Sequence, residues 1–168
     1  MPELQLLRFD HATALLEFER ENRAYFAASV PDRGDSYFAY FDDRHHALMD
    51  EQAEGGCFFH VLVGSEGDVL GRVNLVDVED GSAELGYRIA QRAAGRGLAT
   101  AAVREVCELA ANEYGVTTLR AVTTLDNLGS RTVLARTGFV LAGEIPVDGR
   151  PGLRFLRTTP PMTSPGRP

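Results

Sequence analysis

Apolar positions along the chain change period several times, and each change predicts a different element. Leu4 to Phe9 reads as a strand, and Asp10 offers an N-cap for a helix over about His11 to Phe26. From Ala27 to Asp43 the pattern is broken by Pro31 and Gly34, while Tyr37, Phe38, Tyr40 and Phe41 crowd together. This predicts a loop or short-helix region that could cover a ligand. A second helix over Arg44 to Glu54 ends at Gly55-Gly56. Cys57 to Val63, Val69 to Val78 and Ala83 to Ala90 are β-rich runs joined by Ser65-Glu66-Gly67-Asp68 and Glu79-Asp80-Gly81-Ser82, the pattern of an antiparallel meander. Ala99, Ala102, Val103, Val106, Ala110 and Tyr114 then recur at helical spacing between Leu98 and Tyr114, with Gly115 placed to end that helix. Thr117 to Thr124 reads as a strand, Asn127 to Thr137 as a helix stopped by Gly138, and Phe139 to Ala142 as a strand. A last strand spans Leu153 to Thr158 after an Asp148-Gly149 turn. The order β-α-α-β-β-β-α-β-α-β-β predicts an α+β domain whose central β-α-β unit makes two strands parallel.

Length and composition narrow the class. With 168 residues, 44% of them hydrophobic and 24% charged, the chain suits one folded soluble domain and excludes disordered or fibrous readings. Only residues 159–168 are Pro-rich enough to predict a disordered tail. A net charge of -7 argues against a broad grip on nucleic acid or an anionic membrane, so an anionic ligand needs a local patch. All basic residues are Arg. The absence of Lys removes a Walker phosphate loop, a pyridoxal Schiff base and a Lys nucleophile. Cys57 and Cys107 match no metal or redox spacing, and the four His residues share no ligand spacing with Cys or carboxylates, so no metal is expected. Two packed thiols, no signal segment and no stretch near the ~20 apolar residues of a membrane span point to a cytoplasmic protein.

The stretch Arg88-Ile89-Ala90-Gln91-Arg92-Ala93-Ala94-Gly95-Arg96-Gly97-Leu98-Ala99-Thr100 carries the chemistry, because a strand ends there, a Gly-bearing loop follows and a helix begins. Unpaired amides at a helix start hold the positive end of its dipole, about half an elementary charge, and suit a phosphate or diphosphate. Gly95 and Gly97 let backbone approach the oxyanions, and Arg88, Arg92, Arg96 and Arg104 would reverse the local field. The plainer alternative is a tight turn flanked by solvated arginines. A dinucleotide fingerprint fails because Thr100 stands where the third glycine would be, and no nucleophile-elbow pattern is present.

Arg92-Ala93-Ala94-Gly95-Arg96-Gly97 resembles the Gln/Arg-x-x-Gly-x-Gly/Ala motif of the GNAT superfamily of acyl-CoA-dependent N-acetyltransferases. Four further segments are similar to the branch that acetylates N-termini of ribosomal proteins: Leu7-Arg8, Glu21-Asn22-Arg23, Ala83-Glu84-Leu85-Gly86-Tyr87, and the run from Asn127-Leu128-Gly129-Ser130 to Gly138-Phe139. The resemblance covers nearly Leu7 to Ala142. It implies one GNAT domain over residues 1–158, a mixed, mostly antiparallel sheet of six to seven strands with helices on both faces. Within it the strands around Ala83 to Ala90 and Thr117 to Thr124 splay apart at a β-bulge. Acetyl-CoA would pair its pantetheine arm with backbone near Tyr87 and Ile89. Its diphosphate would rest on amides of the segment holding Arg92, Ala94, Gly95, Arg96, Gly97, Leu98, Ala99 and Thr100, and Asn127 and Ser130 would complete the cofactor site. The reaction implied is direct attack of a primary amine on the thioester, without a covalent enzyme intermediate and without metal.

Glu84 is the candidate base, directly or through water, because strand alternation places it with Gly86 and Arg88 toward the acceptor side. The alternative is a surface carboxylate paired with Arg88. Ser130 is the candidate partner of the leaving thiolate, with Asn127 beside it, and both residues equally suit helix capping. Two departures from the family pattern stand out. Leu134 occupies the position where many GNAT enzymes carry a thiolate-protonating Tyr, and Arg150-Pro151-Gly152-Leu153 replaces the acidic, His-containing segment usual in the ribosomal-protein branch. The acceptor expected is an amine-bearing peptide, protein N-terminus or small molecule, with the α-amine favoured. Asp42, Asp43, Asp50 and Glu51 near the cover could draw a cationic acceptor or simply form a solvated face. A homodimer is left open. The competing functions are a non-catalytic acyl-CoA-binding regulatory module and a nucleotide-binding regulatory domain.

Overall fold

A computed structural model describes residues 2–159. Alternating apolar residues build seven strands: β1 (Glu3–Leu6), β2 (Phe58–Val63), β3 (Val69–Glu79), β4 (Ser82–Ile89), β5 (Thr118–Thr124), β6 (Val140–Val147) and β7 (Arg150–Thr158). They form one sheet in the order β1-β2-β3-β4-β5-β7-β6. Every neighbouring pair is antiparallel except β4 and β5, the parallel pair expected from the β-α-β unit. Helices α1 (Ala12–Glu21), α2 (Arg23–Ala27), α3 (Asp35–Ala39) and α4 (Phe41–Ala53) precede β2, while α5 (Leu98–Asn112) and α6 (Leu128–Arg136) flank β5 in sequence.

The sheet buries both faces. On one, Val73, Leu75, Ala83 and Leu85 meet the apolar stripe of α5 formed by Ala102, Val103, Val106 and Ala110. On the other, Leu15 and Phe18 of α1 and Phe41 of α4 cover Phe59 and Val61. Each fully buried side chain of this size contributes about 1.5–3 kcal/mol, so the residues carrying the period-2 and period-3.6 patterns are those that hold the layers together. His60 is enclosed under α5 as a neutral ring. Its Nδ1 meets the Val73 carbonyl at 3.2 Å and its Nε2 meets the Tyr114 hydroxyl at 2.7 Å, while burial pulls its pKa down to about 4.

Several boundaries differ from the sequence reading for local reasons. Asp10 is not an N-cap: it lies inside a 3-10 turn over Phe9–His11 and pairs with Arg8 at 3.1 Å, while His11 leads into α1. The helix expected over His11 to Phe26 is broken at Asn22, whose Nδ2 donates back to the Phe18 carbonyl at 2.9 Å. The α4 helix starts at Phe41 rather than Arg44, because Tyr40 both ends α3 and precedes α4. Strands β6 and β7 run up to the Asp148-Gly149 turn, where both residues have positive φ of 51° and 75°. Pro146 and Pro151 face one another across that hairpin, a place where prolines do not stop a strand at the sheet edge. Thr159 still donates its N–H to Thr117 at 2.7 Å, one residue past the expected domain end, and the predicted tail beyond it lies outside the described residues.

Candidate active site

Strand β5 leaves β4 almost as soon as it joins it. The parallel pairing comprises Ser82 with Thr118, Ala83 with Leu119 and Glu84 with Arg120, after which β5 continues along β7 as far as Thr124 opposite Gly152. The β3–β4 ladder meanwhile runs unbroken from Val76 opposite Glu84 to Gly71 opposite Ile89. The register irregularity sits in β3 between Val76 and Glu79, where Asp77 has φ 52°, so the bulge expected in the splayed strands belongs to their neighbour. Ala90 donates its N–H to Leu70 at 2.8 Å, and strand alternation therefore turns the peptide groups of Tyr87 and Ile89 to the opposite edge, where β5 has departed. That edge offers backbone donors and acceptors to an extended ligand.

The segment after β4 supplies a second set of free donors. A 3-10 turn over Gln91–Ala93 leads through Gly95 (φ 77°) and Gly97 (φ 74°) into α5. The first amide with a backbone acceptor beyond Ala94 is that of Ala101, which donates to Gly97 at 3.1 Å. The N–H groups from Gly95 to Thr100 have no acceptor among the described residues. A Cβ at Gly95 or Gly97 would meet nothing within 4 Å, so these glycines serve the left-handed backbone and an open approach rather than close packing.

A groove of about 620 Å³ runs past these donors, in the size range of small-molecule sites. Of the expected cofactor contacts, Tyr87, Ile89, Ala94, Gly95, Gly97, Leu98, Ala99, Thr100, Asn127 and Ser130 line it, and Arg92 and Arg96 do not. Ser29 and Val30, from the segment expected to cover a ligand, close its other side together with Tyr25 and Phe26, which pattern reading leaves inside the first helix. The signal for Tyr25 and Phe26 is that this aromatic pair stands at the end of the first helix, next to the cover segment. A second chamber of about 200 Å³ lies in the β4–β5 gap between Leu85, Gly86 and Ala121 to Thr124, and it shares Ser29, Val30, Tyr87, Asn127 and Ser130 with the groove. Groove and gap thus meet at Tyr87 and Ser130. Asn127 caps α6 by accepting the Ser130 N–H at 3.1 Å, so the capping alternative is realised and the Ser130 side chain is left at the junction. Burial raises the Tyr87 pKa and a hydrogen bond with Ser130 opposes the rise. Leu134 is buried beside the gap, one turn after Ser130.

The charges are distributed differently from expectation. Arg88 lines the groove wall beside Phe26, over which its guanidinium stacks at 4.5 Å; it reaches Glu19 at 3.5 Å, and burial pulls its pKa down to about 10. Arg92 is held by Asp68 at 2.6 Å, Arg96 donates to the Arg92 carbonyl, and Arg104 donates to the Arg136 carbonyl. Of the four arginines expected to converge, only Arg88 lines the groove, where Arg136 joins it beside the free amides. Glu84 does not pair with Arg88. It stands half-exposed at the last closed rung of the parallel pair, 3.9 Å from Arg120. Among the described residues no group of three or more His, Cys, Asp or Glu side chains could hold a metal, and no helix is long and apolar enough to cross a membrane.

An open edge beside a cluster of free amides is an arrangement with known relatives. The family model for the acetyltransferase (GNAT) domain matches residues 3–140. The chain belongs to the GNAT acetyltransferases. A probable N-acetyltransferase of Bacillus subtilis strain 168, YjcK, is 28% identical over 130 residues, covering 74% of this chain and 72% of that one. Among solved structures, the ribosomal-protein-S5-alanine acetyltransferase from Vibrio fischeri superposes with a TM-score of 0.88 at 20% identity, over 94% of this chain and 92% of that chain. Mycobacterium smegmatis RimJ, solved in complex with CoA-disulfide, gives 0.81 at 24% identity over 92% of this chain and 80% of that chain. As a GNAT member the protein is an N-acetyltransferase that uses acetyl-CoA as co-substrate, and the free peptide groups of Tyr87, Ile89 and Gly95 to Thr100 suit such a molecule.

Proposed function

We propose that the protein acetylates the α-amine of a peptide or protein N-terminus by direct attack on the thioester of acetyl-CoA. The observation that carries this reading is the open β4 edge beyond Glu84, which leads into the unpartnered amides from Gly95 to Thr100. Tyr87 and Ile89 pair with the pantetheine arm, and the loop amides hold the diphosphate. Alignment of amine and thioester in the gap supplies much of the acceleration, for which about 7–11 kcal/mol is available in favourable cases. A β4 amide polarises the thioester carbonyl, a role worth about 2.7–4 kcal/mol per donor elsewhere.

Glu84 takes the amine proton through water, since it stands at the mouth of the gap beside Arg120 rather than inside it. Ser130, against the Tyr87 phenol where groove and gap meet, stabilises the departing thiolate with Asn127 fixing its helix turn. Leu134 cannot donate a proton, so the leaving group relies on Ser130, Tyr87 or water. The α-amine is favoured because reaching the neutral form at pH 7 costs about 1 kcal/mol for an α-amine and about 4.6 kcal/mol for Lys. The test combines coenzyme A calorimetry with thiol release from acetyl-CoA across peptides bearing either a free N-terminus or a single Lys. Saturable coenzyme A binding and faster release with free N-termini are expected; preferential acetylation of Lys, or no heat with coenzyme A, overturns the proposal.

A further inference from the structure

A second large cavity, about 500 Å³, opens on the other face of the sheet between β3 and α4. Its walls include Leu7, Leu15, Phe41, Leu48 and Phe59, but its polar lining is basic: Arg33, Arg44 and Arg72, with Glu51 as the one carboxylate. This sign is opposite to that of the whole chain, whose net charge is -7. It is also opposite to the acidic cover expected from α4, because Asp42, Asp43 and Asp50 point to solvent.

The positive charge is only partly neutralised internally. Buried Glu19 is shared by Arg33 at 2.5 Å, Arg88 at 3.5 Å and Arg72 at 3.7 Å, which leaves an excess of cations around one carboxylate. Arg72 is only 4% exposed, yet its Nε has no hydrogen-bond partner, and the buried Oδ1 of Asn74 has none either. Arg44 forms no ion pair among the described residues and sits 5.8 Å over the Tyr37 ring. An apolar-walled cavity holding surplus guanidinium charge and an unsatisfied donor is built for an anion.

Sheet register ties this cavity to the reaction. Asn74 stands directly opposite Gly86, and Val76 directly opposite Glu84, so the cavity floor continues across one strand onto the face of β4 that carries the candidate base. A Cβ on Gly86 would meet nothing within 4 Å, so open space lies over β4 between the cavity and the gap. Arg72 on β3 is one strand spacing from β4 and two from the middle of the gap that β5 vacates, about 10 Å.

We infer that this cavity binds a carboxylate of the acceptor, so that the preferred acceptor is a peptide with an acidic side chain near its third residue. The inference rests on the acetyltransferase reading of the gap and extends it to substrate class. An extended peptide spans about 3.3–3.6 Å per residue, so a carboxylate two to three residues from the reacting amine reaches the arginines. The α-carboxylate of a free amino acid, one carbon from its amine, does not.

The experiment compares a hexapeptide bearing Glu at its third residue, the same peptide with Gln there, and free glutamate. Each is assayed by thiol release, and the two N-acetylated peptides are assayed by calorimetry, which needs no turnover. The Glu peptide should exceed the Gln peptide in kcat/KM by about tenfold, mainly through KM, and its acetylated form should bind more tightly by a similar factor. Both ratios should fall toward one in Arg44→Gln, and also in Arg72→Met if that variant retains its cooperative melt. Equal binding of the two acetylated peptides overturns the anion subsite even where turnover is normal. Free glutamate matching the Glu peptide overturns the spacing. Tighter binding of the acetylated Glu peptide without thiol release from any acceptor leaves the subsite standing and refutes the acetyl-transfer reading of the gap.

Discussion

Gly86 provides a substitution whose effects on folding, cofactor and acceptor separate cleanly. The position lies on β4, its φ is not in the left-handed region, and an added side chain meets no atom within 4 Å of its Cβ. Gly86→Val therefore introduces no clash and removes the conformational freedom of a strand glycine, a gain of roughly 0.5–1 kcal/mol and about 2 °C in melting temperature for a domain of this size. The Gly86 peptide group pairs with Asn74 in the β3 ladder, not with the open edge, so coenzyme A affinity by calorimetry should stay within about twofold of wild type on alternation grounds. The valine methyls instead fill the space over β4 by which an acceptor crosses to the gap. A displacement of about 1 Å at the reacting amine costs on the order of 100-fold, so kcat/KM for peptide acceptors should fall by about that factor. An unchanged kcat/KM refutes the route over β4. A parallel loss of coenzyme A affinity refutes the separation of the two binding faces.

Three further outcomes follow from the same geometry. Gly97→Ala forces a left-handed residue to carry a Cβ at φ 74°, at a cost of about 1–2 kcal/mol, and should weaken coenzyme A binding about tenfold in calorimetry while acceptor KM moves little. Glu84→Gln should lower kcat by about 10²–10⁴ at neutral pH and steepen the rise of rate with pH, measured by thiol release; an unaltered pH–rate profile removes Glu84 from proton transfer. His60 has a folded pKa of about 4 against 6.5 unfolded, so its contribution is complete above pH 6.5 and is lost as pH falls toward 4. That loss is at most about 3 kcal/mol, and urea unfolding of His60→Gln across this window should show a correspondingly flatter dependence of stability on pH.

The geometry of the candidate site was legible in the sequence where its features are local. Gly95, Gly97 and the start of α5 declare their free amides through residue type and order alone, and Asn127 with Ser130 declares a helix cap. Glu84 reads in the sequence as a base or, alternatively, as a carboxylate paired with Arg88; that pair does not form, because a parallel neighbour 36 positions later brings Arg120 beside Glu84 while Arg88 is drawn to Glu19. The arginine cluster failed for the same reason. Spacing along the chain puts Arg88, Arg92, Arg96 and Arg104 close together, whereas in the fold they engage Glu19, Asp68, the Arg92 carbonyl and the Arg136 carbonyl in turn. The basic cavity was invisible because Arg33, Arg44 and Arg72 come from three separate elements and are united only by tertiary packing. Helix breaks were likewise hidden where one buried polar side chain overrides an otherwise continuous apolar stripe.

Asn22 is such a side chain, and its position has a further consequence. While Nδ2 holds the end of α1, Oδ1 accepts the N–H of Gln91 at 3.0 Å, directly before the glycine loop. The hinge of the wall formed by Tyr25 to Val30 is thereby bolted to the segment that leads into Gly95 and Gly97. Were seating one ligand to shift either side of that bond and the other side to follow, reciprocity would require each ligand to change the other's affinity by the same factor. The two walls of the groove are thus tied to one another through a single buried side chain.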